Sequence, residues 1–193
     1  MDSNGNQILI LASASPRRSE LLKGAGIPFQ VIPAEVEEPA WDGGCTPEEH
    51  VTRLARIKAG CVSQAHPGAL VLGADTAVFL DNVLYGKPAD MEEARKMLMT
   101  LSGREHRVLT GVALCRGGRV MKEWCAESRV AFRKLTPEII DSYFAAVNPL
   151  DKAGAYGLQC HGEMLCCGFT GLHSTVVGLP VEEVAEALKR DLN

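Results

Sequence analysis

At 193 residues, 46% of them hydrophobic, the chain is long enough to bury a core, and its length suits one domain of at most two lobes. Charged residues make up 23% and the formal net charge is −4, which argues against a surface given over to nucleic acid or anionic membrane. An aromatic content of 5% leaves little for a base-stacking platform.

The opening residues, "MDSNGNQ", hold no basic segment leading into a long apolar one. The apolar stretch "ALVLGADTAVFL" is interrupted by Asp75 and is too short to span a bilayer. A cytoplasmic protein is the expectation. Residues 7–12 then read as a buried strand. Pro16 to about Lys23 reads as a helix, with Ser15 at its N-cap and Gly24 and Gly26 at its stop. "FQVIP" is a short strand, followed by the acidic loop "AEVEEPAWDGG".

Thr46-Pro47-Glu48-Glu49 has the form of a capping box and opens a helix to about Ala65. "ALVLGAD" is a strand whose apolar residues do not alternate, as in the centre of a sheet. "TAVFLDNVLYGKP" predicts a hairpin turning at Asp81-Asn82, and Asp90 with Glu93 caps a helix ending near Gly103. Residues 106–116 and 119–133 form two long strands around Gly117-Gly118. Thr136-Pro137 starts a helix to about Val147, and a glycine-rich loop leads to a strand at 164–169 and a turn near Thr170-Gly171. A last helix begins at Pro180, with acids in its first turn and Lys189 and Arg190 in its last. Strands and helices mixed throughout, with long hairpins, predict an α/β fold with a mixed central sheet flanked by helices.

Six places carry candidate chemistry. "LASASPRR" joins a helix N-terminus to the hydroxyls of Ser13 and Ser15 and the guanidinium forks of Arg17 and Arg18, a set suited to phosphate. A plain helix start with two solvated arginines fits the same letters. Lys58 falls on the apolar stripe Val51, Leu54, Lys58, Cys61, Ala65, where a lysine either snorkels out or meets an anion. Asp75 ends an apolar strand, where open α/β sheets place ligands; it could hold Mg²⁺ or take a proton from water. Glu37 and Glu38 in the acidic loop could share that metal, and Lys87 in "YGKP" could neutralise phosphate. In "DKAGAYGLQ" the amide of Gln159 suits a base edge, because it both donates and accepts. No Walker A or G-x-G-x-x-G pattern occurs.

The seven cysteines are odd in number, and Cys160-His161, Cys166-Cys167 and His173 match no common zinc spacing. Reduced, mostly buried thiols are expected.

The ordered set "LASASPRR", "AEVEE", "RLARIKA", "GADT", "GKP", "LSG", "PLDKAGAYGLQ" and "VVGLP" resembles the Maf family over nearly the whole chain. The resemblance implies a single domain, residues 1–193, related to the inosine triphosphate pyrophosphatases, with two lobes and a deep cleft. It implies hydrolysis of nucleoside triphosphates to monophosphate and pyrophosphate with a divalent cation, Mg or Mn. Asp75 matches the proton acceptor; Ser13, Arg18, Lys58 and Lys87 match positions around the phosphates; Glu38 joins Asp75 on the metal side. Arg17, Thr76 and Gln159 match the branch similar to dTTP/UTP pyrophosphatases, where the 7-methyl-GTP branch has Trp, Gln and Glu. After Gln159 the chain departs from the family pattern with "CHGEMLCCGF", beside the base-reading residue. The expected partners are a nucleoside triphosphate and, from the likeness alone, a second copy of the chain, with neither nucleic acid nor membrane. A non-catalytic nucleotide-binding regulator of cell division and a 7-methyl-GTP pyrophosphatase are the rival readings.

Overall fold

The computed structural model describes residues 9–191; the opening segment and residues 7 and 8 of the expected first strand lie outside that range. Among the described residues, seven strands form one sheet with the order β2-β1-β3-β5-β6-β7, and β4 pairs with β3 off this path. The strands are β1 (Leu9–Leu11), β2 (Phe29–Val31), β3 (Leu70–Leu80), β4 (Val83–Tyr85), β5 (Glu105–Arg116), β6 (Arg119–Phe132) and β7 (Cys166–Thr170). The helices are α1 (Pro16–Gly24), α2 (Pro47–Ala65), α3 (Met91–Leu101), α4 (Pro137–Ala146), α5 (His173–Val177) and α6 (Val181–Asp191). β1 runs parallel to β2 and β3, whereas β3–β4 and β6–β7 are antiparallel, so the sheet is mixed as expected.

The chain divides into two compact units, and β3, β5 and β6 each contribute residues to both. The first holds residues up to Asp75, 110–126 and those from Gly178 on. Its core follows strand alternation. Leu9, Leu11, Leu70, Leu72 and Ala74 pack with Leu22 of α1 and Val184, Ala187 and Leu188 of α6. Ile10, Ala12 and Val71, of opposite parity, pack with Ala55, Ala59 and Val62 of α2. The unit is thus a sheet with helices on both faces. The second unit, residues 76–109 and 127–177, has its own cluster. There Val78, Leu80, Val108, Val130 and Phe132 meet Leu98 and Leu101 of α3 and Ile140 and Tyr143 of α4.

Local signals act where the sequence places them. Thr46 Oγ1 accepts from the Glu49 amide at 3.2 Å, and Glu49 Oε2 accepts from the Thr46 amide at 2.8 Å, completing the capping box. Asp90 and Thr136 likewise cap α3 and α4. Asp81 and Asn82 adopt φ of 52° and 61°, the left-handed pair that a two-residue hairpin needs.

Three expectations need correction. β3 runs unbroken for 11 residues, so Asp75 lies within it rather than at its end. What ends nearby is the parallel part of the sheet, since β1 stops at Leu11, opposite Leu72. β7 begins at Cys166, not 164, because His161 enters the left-handed region at φ 53° and Gly162–Met164 coil into a short turn. α5 was not anticipated. The expectation of mostly buried thiols also fails: all seven are free, Cys115 is buried, and Cys61 and Cys167 are exposed.

Candidate active site

α2 docks on the sheet through backbone. A Cβ on Gly73 of β3 would lie 2.3 Å from the Ala55 carbonyl oxygen, and one on Gly111 of β5 would lie 2.3 Å from that of Val51. Only glycine permits so close an approach. The buried face of α2 is therefore His50, Val51, Leu54, Ala55, Ala59, Val62 and Ser63, small residues included. Cys61 and Ala65 lie off this face and are exposed, which corrects the stripe read from steps of three and four. Lys58 sits at the margin of the face. Asp75 shares the strand parity of Gly73 and so faces the same helix.

Lys58 Nζ donates to Asp75 Oδ1 at 2.6 Å and lies 3.0 Å from Glu38 Oε2 of the acidic loop. The Lys58 and Asp75 side chains are 13% and 14% exposed, that of Glu38 47%. One ammonium is thus held between two carboxylates at the rim of the first unit's core. Of the two alternatives for Lys58, snorkelling and anion contact, the second is the one observed.

Beside it, the segment after β1 turns into α1. Ser15 occupies the N-cap with Pro16 following, yet its side chain makes no capping bond. Ser13 is the busier hydroxyl. Its Oγ accepts from the Ser15 amide at 3.2 Å and from Arg18 Nη1 at 2.9 Å. Arg18 also donates through Nε to the Gly178 carbonyl at 2.8 Å, and it is only 9% exposed. Burial pushes its pKa down, while Asp75 and Glu38 oppose that fall and Arg17 adds to it. Arg18 and Asp75 are therefore within electrostatic reach of each other. A guanidinium stays charged in proteins, so this is a permanent buried positive charge.

The first unit thus gathers Ser13, Arg18, Glu38, Lys58 and Asp75, with Arg17 half-buried on α1 and Glu37 exposed. Lys87, Thr76 and Gln159 belong to the second unit. Thr76 is half-buried on β3; Lys87 and Gln159 are exposed. The Gly154 amide donates to the Gly86 carbonyl at 3.0 Å, tying the glycine-rich loop to the residue before Lys87. The Tyr156 hydroxyl meets His106 Nε2 at 2.7 Å, and the Gly157 amide donates to the Tyr143 hydroxyl at 3.0 Å.

Among the described residues, no three His, Cys, Asp or Glu side chains gather as a metal-binding group. The two oxygens on Lys58 nevertheless suit a hard divalent cation, which is commonly held by one or two carboxylates together with substrate phosphates and water. Two participants escaped the sequence analysis. His50, 3% exposed, lies under Trp41 of the acidic loop; its place one turn into α2, ahead of Leu54, was the available signal. Gly178 carries the carbonyl that holds Arg18, and it lies within "VVGLP".

Residues 8–191 match the family model described as "Maf-like protein". A dTTP/UTP pyrophosphatase of Symbiobacterium thermophilum is 50% identical over 94% of this chain and 93% of its own. One of Myxococcus xanthus is 49% identical over 95% and 92%. In three dimensions the chain is similar to a HAM1 protein from Coxiella burnetii, with TM-score 0.56, 16% identity and coverage of 95% and 99%. The Ham1 protein of Staphylococcus aureus gives TM-score 0.55 at 14% identity, over 96% and 100%. These two solved structures have the same mixed α/β fold. With the family model spanning almost its entire length, this chain belongs to the Maf family.

Proposed function

We propose that this chain hydrolyses pyrimidine nucleoside triphosphates, dTTP and UTP, to the monophosphate and pyrophosphate. The observation that carries the reading is the Lys58 ammonium held between Asp75 and Glu38, with the buried Arg18 in electrostatic reach of both carboxylates. Such a group of opposite charges at a rim is costly unless a charged ligand uses it. The names of the Symbiobacterium and Myxococcus relatives support the substrate class.

In this reading Ser13, Arg18, Lys58 and Lys87 contact the phosphates, while Arg17, Thr76 and Gln159 set the choice of base. Asp75 accepts the proton of a water whose oxygen bonds to the α-phosphorus. The bond from that phosphorus to the oxygen bridging the β-phosphorus breaks, and pyrophosphate leaves with the bonding pair. The cations bear the charge that grows on the leaving group. Asp75 and Glu38 are the side chains that would hold a divalent ion, Mg or Mn. Such an ion, when bound, neutralises phosphate charge and polarises the scissile bond.

The same reading takes the chain as a cytoplasmic homodimer without nucleic-acid affinity, supported by the family likeness and the net charge of −4. Among the described residues, no helix is long and apolar enough to cross a membrane.

Product analysis with dTTP, UTP, CTP, GTP and 7-methyl-GTP in Mg²⁺ tests the assignment. The expected result is pyrophosphate release, fastest with dTTP and UTP. Release of orthophosphate alone, or binding without turnover, overturns the reaction. Preference for 7-methyl-GTP overturns the choice of base.

A further inference from the structure

The acidic loop between β2 and α2 contains neither helix nor strand, yet it supplies Glu38. Its ion pair to Lys58 involves a half-exposed carboxylate, and such pairs contribute little against the entropy of ordering a loop. A second contact lies further along. The Trp41 ring meets the His50 ring edge-on, with centroids 5.2 Å apart and planes at 69°. This is the T-shaped arrangement that aromatic quadrupoles favour. His50 and Lys58 both stand on α2, about 12 Å apart along its axis at 1.5 Å per residue. A chain extended at about 3.4 Å per residue covers most of that distance between Glu38 and Trp41. The loop therefore lies along the helix, fastened at two points.

His50 itself is built as a plate, not as a hydrogen-bonding group. It is 3% exposed, and its Nδ1 is sealed from water with no hydrogen-bond partner among the described residues. Burial pushes its pKa down; Asp75, Asp42 and Glu38 pull it up, and Arg53 pushes it further down. Leaving one ring nitrogen unmatched is a cost that only the packing of the ring offsets.

We propose that Trp41 and His50 are positioning residues: their edge contact straps the acidic loop along α2 and thereby sets the Glu38 carboxylate beside Lys58 and Asp75. This rests on the reading of Glu38 as a holder of the divalent cation.

Groups that support a metal ligand from behind typically govern affinity by about 10–100-fold. Trp41→Ala and His50→Ala should each raise the Mg²⁺ concentration for half-maximal pyrophosphate release about 10-fold. The rate at saturating Mg²⁺ should fall much less. His50→Phe, which keeps the plate and removes the unmatched nitrogen, should behave as wild type.

A second readout needs neither metal nor nucleotide. The chain has 2 tryptophans, so Trp124→Phe leaves Trp41 as the sole tryptophan, read by exciting beyond the tyrosine absorption. In that background His50→Ala should shift the emission to the red, whereas His50→Phe should not. An unchanged Mg²⁺ dependence in Trp41→Ala overturns the proposal, whether or not the emission moves. His50→Phe behaving like His50→Ala also overturns it, because the imidazole would then act through its nitrogens. Glu38→Gln separates the proposal from its premise. If that variant keeps the wild-type Mg²⁺ dependence, the role given to Glu38 fails. If it raises the requirement while Trp41→Ala does not, the strap alone fails.

Discussion

The two units differ in the polar groups at their centres. In the first, the polar interior near β1 and β3 is charged: Arg18 is 9% exposed, and Lys58 and Asp75 are paired behind a thin rim. In the second, its centre is a neutral cluster of rings, His106, Tyr156 and Phe132, with centroids 4.8 to 5.4 Å apart. Its buried lysine, Lys152, is tied at 2.7 Å to the Asn148 carbonyl and at 2.6 Å to Asp151. Neutral rings with a matched hydrogen bond hold a loop in one shape at modest cost. Buried ions cost more, and apolar residues of similar volume often stabilise a fold better. Both units bury a cation, but the first sets its buried charge beside Asp75, the residue proposed to accept the proton, whereas the second pairs its lysine with a neighbour in sequence.

The largest test of that contrast is Asp75→Asn. Loss of a general base costs about 10²–10⁴-fold in rate. Steady-state turnover of dTTP should fall within that range while the melting temperature stays near wild type. Activity close to normal would remove Asp75 from the proton-accepting role.

The neutral interior should betray itself through acid. Burial holds the pKa of His106 at about 4, against 6.5 unfolded. Above pH 6.5 both states are neutral at this residue, so it makes no pH-dependent difference. As the pH falls below 6.5 the unfolded chain takes up a proton that the folded chain refuses, and stability declines until about pH 4. At 1.36 kcal/mol per unit, this amounts to about 3 kcal/mol. Denaturant unfolding from pH 7 to 4 should show that loss, and His106→Gln should flatten it. An identical slope in the variant would assign the acid sensitivity elsewhere.

The smallest effect sharpens the charged side. Lys58→Met should cost activity and, because it leaves the Asp75 carboxylate, 14% exposed, without its partner, more stability than the about 1 kcal/mol of a surface pair. It leaves Asp75 and Glu38 facing each other, so Mg²⁺ should raise the melting temperature of the variant more than that of wild type. Equal shifts would mean that the two carboxylates do not share a cation.

Much of this arrangement was legible in the letters. Caps at Thr46, Asp90 and Thr136, the turn at Asp81-Asn82 and the apolar run into Asp75 are local signals, and each acts within a few residues. What was missed depends on packing. The stripe through Cys61 and Ala65 came from counting steps of three and four from Val51, whereas Gly73 and Gly111 require Ala55 and the backbone of α2 to face the sheet. α5, His173–Val177, is too short for periodicity to reveal. His50 and Trp41 meet only once the acidic loop lies on α2. The roles proposed for Lys87, Thr76 and Gln159 of the second unit were suggested by family likeness more than by any local pattern.

The docking of α2 through two glycines has a consequence for how the protein tolerates change. The reach of Lys58 to Asp75 is set by main-chain contact, much as a hinge is set by its pin and not by the panels it carries. Core side chains around α2 can trade volume with one another and leave that distance alone. A single methyl group at Gly73 or Gly111 has nowhere to go but into a carbonyl of the helix, so it must lift the helix and draw the ammonium off the carboxylate. In a library covering every substitution, the sharpest losses outside the charged residues should fall on two positions with no side chain at all.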